Sequence, residues 1–218
     1  EAMFAKCTSL LTAEFAEGAI ATETGIFLGC TSLRNVVFSD SIFVMDQYSF
    51  FGCTLLESVF FTDSVFSIND YAFAGCTKLI SLSSLLNLQY IGEFTFTNCT
   101  SLEQINVLQV AHIGSSAFAG CSALSSFEMP FALDSIYSHT FDGCVSLKTV
   151  TMGVGSPLTM IEEFAFLNCI SLQDFTIPES VNIIGRAAFA NCKSLKSISI
   201  PFGVETISPF AFSSCWSL

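Results

Sequence analysis

Residues 169–192 read C-I-S-L-Q-D-F-T-I-P-E-S-V-N-I-I-G-R-A-A-F-A-N-C, and most features of this stretch recur along the whole chain. Cysteines stand at 7, 30, 53, 76, 99, 121, 144, 169, 192 and 215, an interval of 23 residues broken by one of 22 and one of 25. A Phe lies three positions before every Cys, from Phe4 to Phe212, and a Leu three positions after it, from Leu10 to Leu218. Five positions before the Phe comes Ile68, Ile91, Ile113, Ile136, Ile161, Ile184 or Ile207; Met45 takes the place once and Thr22 departs from the pattern. Self-similarity at a fixed period of this size marks a solenoid, in which one unit cannot bury its apolar face alone and stacked units share a continuous core.

Within a unit, the residues after each Leu alternate apolar, polar, apolar, as in Ile105-Asn106-Val107, Val150-Thr151-Met152, Phe175-Thr176-Ile177 and Ile198-Ser199-Ile200. A period of two marks a short strand with one face buried. Pro130, Pro178 and Pro201 follow strand segments directly, where a missing N–H and a fixed φ end a ladder and begin a turn. The residue before Cys is Gly at 29, 52, 75, 120 and 143 and Asn at 98, 168 and 191, the two types that best tolerate a left-handed backbone, so the Ala-Phe turn closes there. The predicted coil is strand, turn, second extended piece and short helical turn. Strands in register stand roughly 4.8 Å apart, so nine coils measure on the order of 45 Å.

Composition narrows the function. Only 12% of residues are charged while 24 are Phe, so the apolar mass must be hidden in a regular way. Nineteen acidic residues against seven basic ones give a formal charge of −12, which opposes binding to nucleic acid or to anionic membrane surfaces. Ser, Thr, Asn and Gly interrupt every apolar run, so no segment reads as membrane-inserted. Both ends fall in mid-repeat, with no linker or composition break between them. The expectation is one solenoid domain over 1–218, cut from a longer array, whose uncapped ends invite self-association.

No residue pattern points to catalysis or to a cofactor. H-E-x-x-H, G-x-S-x-G, P-loop and dinucleotide fingerprints are absent, and zinc sites need local pairs such as C-x-x-C, which do not occur. The ten Cys therefore read as free, buried thiols donating to turn carbonyls. Asn98-Cys99-Thr100 matches a glycosylation sequon, but Asn98 shares its repeat position with Asn168 and Asn191, which form none, and so reads as a turn residue. His112 and His139 fall at different repeat positions, and the periodicity implies no partner carboxylate for either.

The combination S-L-x-x-I-x-I-P, V-x-x-I-G and A-F-x-x-C, repeated in whole or part in ten units, resembles the BspA-like class of leucine-rich repeat. The first two units lack the I-G pair, and Ser84 stands where an inward apolar residue belongs. The resemblance implies a curved right-handed leucine-rich-repeat superhelix of about nine to ten coils. It also implies a surface or secreted protein that adheres to host or matrix proteins, with any signal or anchor outside these residues. An intracellular scaffold in the cytoplasm is the alternative, since free thiols suit a reducing compartment.

What does not repeat is left to recognise a partner. The outward position of the first strand carries Glu14, Val37, Phe60, Ser83, Asn106, Glu128, Thr151, Thr176 and Ser199, a mildly polar, hydroxyl-rich series suited to an extended protein ligand. Val37, Phe60, Asn106, Glu128, Thr151, Thr176 and Ser199 are the candidate protein-binding residues. Val37 and Phe60, in adjacent units, are either an exposed apolar anchor or the filling of a local groove.

Overall fold

The aliphatic residues ahead of the Ala-Phe turns and part of the apolar–polar–apolar triplets become two lines of short parallel strands in the computed structural model, which describes residues 2–15, 22–38, 42–61, 63–83, 85–153 and 155–218; Ile105-Asn106-Val107, Phe175-Thr176-Ile177 and Ile198-Ser199-Ile200 form none. In chain order these are β1 (Thr12–Phe15), β2 (Asn35–Phe38), β3 (Val44–Met45), β4 (Ser58–Phe60), β5 (Ser67–Ile68) and β6 (Ser81–Leu82). There follow β7 (Tyr90–Ile91), β8 (His112–Ile113), β9 (Ser126–Glu128), β10 (Ser135–Ile136), β11 (Thr149–Thr151), β12 (Met160–Ile161), β13 (Ile183–Ile184) and β14 (Thr206–Ile207). The first line pairs β1-β2-β4-β6 and, separately, β9-β11; the second pairs β3-β5-β7-β8 and β10-β12-β13-β14. Every pairing is parallel and one repeat apart, as between Val36 and Val59 or Ile161 and Ile184.

The result is a parallel β-solenoid of about eight turns, somewhat fewer than the nine to ten coils expected. Its axis is a stack of phenyl rings: Phe4, Phe27, Phe50, Phe73, Phe96, Phe118, Phe141, Phe166, Phe189 and Phe212 follow one another at centroid distances of 5.0–5.7 Å, nearly parallel. The eight inner rings are fully buried, as are Leu33, Met45 and Leu56 of the flanking rows. A second aromatic row on the strand side, Phe15, Phe38 and Phe61, stacks at 4.9 and 5.7 Å and meets the axial rings edge-on. Thr22, the polar exception among the inward aliphatics, is buried but satisfied: its hydroxyl accepts from the Asp46 N–H at 2.8 Å and lies 3.1 Å from the Ser49 hydroxyl.

The expected helical turn is not one. No α-helix forms among the described residues; the Ala-Phe segment is a run of i→i−3 turns, such as Leu28 N–H to Gly25 C=O and Cys30 N–H to Phe27 C=O. The reason is a left-handed backbone at two places per coil. One is the residue before Cys, as expected, including Gly75 at φ +77 and Asn191 at φ +62. The other, two positions before the Phe, holds Tyr48, Tyr71, Phe94, Ser116, His139, Phe164, Ala187 and Phe210, at φ from 50 to 66. A left-handed residue costs roughly 1–2 kcal/mol. Here each turn is clamped to the next coil by three backbone bonds, for example Tyr71, Phe73 and Gly75 N–H to the carbonyls of Glu93, Thr95 and Thr97 at 2.8–2.9 Å.

The glycine of the I-G pair has a different task. A Cβ on Gly92 would stand 2.6 Å from the Asp70 nitrogen, one on Gly114 2.6 Å from that of Glu93, and one on Gly185 2.5 Å from that of Glu163. These glycines set how closely one coil can lie on the previous one.

The thiols depart from expectation at the ends. Eight of the ten Cys are buried, whereas Cys7 is exposed and Cys215 partly so, because each has a neighbouring coil on one side only. Each described thiol from Cys30 onward donates to the carbonyl of the Phe one coil back, as Cys99 does to Phe73 at 3.1 Å. Glu1 and Ser84 lie outside the described residues.

Candidate functional site

The first line of strands presents its outward side chains as one face. Parallel register sets Glu14 beside Val37, Val37 beside Phe60, and Glu128 beside Thr151. Val37 is 36% exposed and Phe60 52%, so the pair is an apolar patch open to solvent and fills no groove. Asn106, Glu128, Thr151, Thr176 and Ser199 are exposed as well. Ser83 is the exception in the series: its hydroxyl turns to the backbone, accepting from Phe61 N–H at 2.7 Å. On the row beside this face, Arg34 pairs with Glu57 of the next coil, an exposed contact worth little by itself.

The face is not flat, and its relief comes from the two units of irregular length. The unit from Cys99 to Cys121 is one residue short, and its triplet Ile105-Asn106-Val107 forms no strand. In the core, the row of Val36 and Val59 continues through Leu82 and Ile105 to Phe127, which packs edge-on against Phe118 and Phe141, while the row of Phe15, Phe38 and Phe61 continues with Val107. Between β6 and β9 lies a cleft of about 480 Å³ lined by Gln104, Asn106, Ser126 and Glu128. Asn106 itself accepts the Leu108 N–H at 3.3 Å.

The unit from Cys144 to Cys169 is two residues longer than the 23-residue period, and the surplus enlarges the loop beyond β11. Together with Pro178, Glu179 and Ser180 of the next coil, Gly153, Gly155 and Ser156 wall a cleft of about 750 Å³ whose floor includes Thr151 and Thr176. The Phe131 ring lies over Gly153 so closely that a Cβ there would meet its Cδ1 at 2.5 Å. Four of the seven candidate binding residues thus line the two clefts, Val37 and Phe60 form the patch, and Ser199 stands alone on a further coil. Sequence reading missed the clefts although their signal, the 22- and 25-residue intervals, was present.

The histidines carry more contacts than the periodicity implies. His139 has a carboxylate partner after all: its Nδ1 lies 3.0 Å from Asp142 Oδ2, an i,i+3 contact within one turn, and its ring stacks on Phe164 at 4.7 Å. His112 stacks on Tyr90 at 4.9 Å. Asn98 is a left-handed turn residue at φ +59, its N–H bonded to the Ala119 carbonyl. Among the described residues no three His, Cys, Asp or Glu side chains converge as a metal ion requires.

The repeat, its Ala-Phe turn and its buried Cys match the family described as BspA type Leucine rich repeat region, in six copies over residues 1–124 and 111–218. The chain belongs to the BspA-type leucine-rich repeat family. Among solved structures, a leucine-rich repeat protein of T. pallidum is 26% identical, with a TM-score of 0.68 over 75% of this chain and 78% of that one. A leucine-rich repeat protein from Bacteroides ovatus is 18% identical with a TM-score of 0.51, covering 95% of this chain and 85% of that one. The pneumococcal vaccine antigen PcpA is also 18% identical, with a TM-score of 0.50 over 88% of this chain and 60% of that one. No curated protein matches the sequence. The BspA-type solenoid is in general a binding scaffold without catalysis. No helix among the described residues is long and apolar enough to cross a membrane.

Proposed function

We propose that this BspA-type solenoid is a non-catalytic protein-binding module of a cell-surface or secreted protein, and that its strand face adheres to a host or matrix protein. The observation that carries the reading is the Val37–Phe60 pair, an exposed apolar patch on a face otherwise made of hydroxyls, amides and scattered carboxylates. Apolar anchors inside a polar surround are how protein interfaces concentrate their binding energy. The two clefts along the same face supply relief against which a partner can be shape-complementary. That one protein sharing the fold is a vaccine antigen supports an exposed location.

The test is surface plasmon resonance of the 218-residue chain over immobilised extracellular-matrix proteins, with Phe60→Asp beside the wild type. Loss of a central anchor should weaken binding by roughly 30-fold, as for a residue worth about 2 kcal/mol. Binding that is indifferent to Phe60→Asp and to Thr151→Arg in the larger cleft would remove the strand face from consideration.

Ten unpaired Cys favour a second reading, a cytoplasmic repeat scaffold for protein partners, with no adhesive role. The two separate on location. Antibody labelling of intact cells of the source organism detects the protein under the first reading and fails under the second.

A further inference from the structure

A second surface lies on the Ala-Phe turns, and no residue of the strand face lines it. At the left-handed position two before the axial Phe, three consecutive coils carry Tyr48, Tyr71 and Phe94, whose rings stack at 5.1 and 4.8 Å. The turn does not need aromatics there, since other coils place Gly25, Ser116 and Ala187 at the same point. A bulky side chain at positive φ is strained, and rings also stand at this point as His139, Phe164 and Phe210, but Tyr48, Tyr71 and Phe94 make the longest unbroken run of them among the described coils. Phe51, 39% exposed, meets Tyr48 edge-on at 5.8 Å and widens the aromatic surface.

The ladder stops at Gly25. Tyr71 covers one face of Tyr48, and toward the other side the missing rung leaves a hollow of about 390 Å³ walled by Gly25, Leu28, Phe51, Ala2 and Thr24. Beside the ladder runs a row of carboxylates, Asp46, Asp70 and Glu93. Asp46 accepts the hydroxyl of Thr24, a wall residue, at 3.0 Å, and Asp70 accepts the Glu93 N–H at 2.9 Å and the Gln47 amide at 3.4 Å. None of the three has an ion-pair partner among the described residues. Burial, then Tyr48, Glu93 and Asp70, raise the Tyr71 phenol pKa, in keeping with carboxylates standing close to the rings.

An apolar slot with an open aromatic face, bordered by unpaired negative charge on a molecule of net charge −12, is complementary to one kind of side chain. We propose that this ladder docks a basic segment of a partner protein, with an arginine guanidinium lying on Tyr48 as the absent rung and neighbouring cations facing Asp46, Asp70 and Glu93. Guanidinium is planar and weakly hydrated, so it can enter an apolar slot and stack where a lysine ammonium would hold its water. A neutral sugar stacked on the same ring would leave the carboxylates without a counter-charge.

The experiment titrates the 218-residue chain with fluorescent hexa-arginine, hexa-lysine and an uncharged Gly-Ser peptide of the same length. Variants are Tyr48→Asn, which keeps a type tolerant of positive φ; Gly25→Tyr, which fills the slot; and Asp70→Asn with Glu93→Gln. Circular dichroism melts verify that each is folded. The arginine peptide should bind more tightly than the lysine peptide, and the uncharged one not at all. Tyr48→Asn and Gly25→Tyr, which leave the charge unchanged, should each weaken it by about two- to fivefold, and the carboxylate pair should weaken it further and flatten its salt dependence. Equal affinity of wild type, Tyr48→Asn and Gly25→Tyr would mean that the peptide sees only net charge and would overturn the proposal. So would Tyr48-dependent binding of a neutral oligosaccharide without any of the arginine peptide.

Discussion

Gly52 and Gly92 are glycines for unrelated reasons, and substitution separates them. Gly52 sits at φ +71 with nothing within 4 Å of where a Cβ would stand, so Gly52→Ala should cost about 1 kcal/mol from backbone conformation alone, and Gly52→Asn less. Gly92→Ala drives a methyl into the backbone of the coil before it and should cost about 2–3 kcal/mol. Urea melts giving the two alanine variants equal losses would refute that distinction. The first kind of glycine was legible in the sequence because Gly or Asn stands before eight of the ten Cys. The left-handed position of Tyr48 and Phe94 was not, because bonds to the next coil, and no local preference, hold the backbone there. The thiols make a prediction of their own. Burial raises the pKa of Cys53 from 9.0 to about 12 and pushes Cys76, Cys99 and Cys121 well above the ordinary value. The native state therefore keeps protons that the unfolded chain gives up. Stability is intact below pH 9 and is lost as the pH climbs toward the raised values, by up to roughly 1.4 kcal/mol per pH unit for each thiol. A urea midpoint unchanged between pH values just below and well above 9 would contradict the burial of the row.

At the scale of the element, the two strand lines were legible and their interruptions were not. Alternation in Val150-Thr151-Met152 and the aliphatic residue ahead of each Ala-Phe turn became β11 and the β10-β12-β13-β14 sheet as expected. The triplets Ile105-Asn106-Val107, Phe175-Thr176-Ile177 and Ile198-Ser199-Ile200 have the same alternation and form no strand; beyond β11 the first line continues only as isolated bridges of Asp174 with Thr149 and with Ser197. Pairing depends on the coils to either side, which a pattern within one unit does not report. The amides of Gln104, Ile105 and Asn106 find no backbone acceptor among the described residues, whereas those of Tyr71, Phe73 and Gly75 are bonded to the next coil. Hydrogen exchange should mark the difference, with residues 104–106 exchanging at least about tenfold faster than the turn amides. Equal protection would mean that the first sheet is continuous through this coil. The candidate binding residues follow the same division: their exposure came from the repeat, but that Asn106, Glu128, Thr151 and Thr176 border clefts came from the two units that break it.

At the scale of the molecule, the period carried the architecture and the family, and the residues that escape the period carry whatever is specific to this chain. A partner is therefore the part least written in the sequence, since a repeat pattern says where a surface will be and not what will lie on it. The stacked rings have a mechanical consequence. Each coil is held only by its two neighbours, so tension applied between the ends loads the coils in series, and they should yield one at a time. A coil of 23 residues contributes roughly 75–83 Å of contour when drawn out straight. Force–extension traces should accordingly rise and fall in near-equal increments of that size, with the 25-residue coil contributing a slightly longer one. A single collapse of the whole length would show that the coils fail together. On that account the repeat interval is also a step of extension, and a protein anchored at one end and loaded at the other would absorb work by paying out length while the coils still folded kept their binding face.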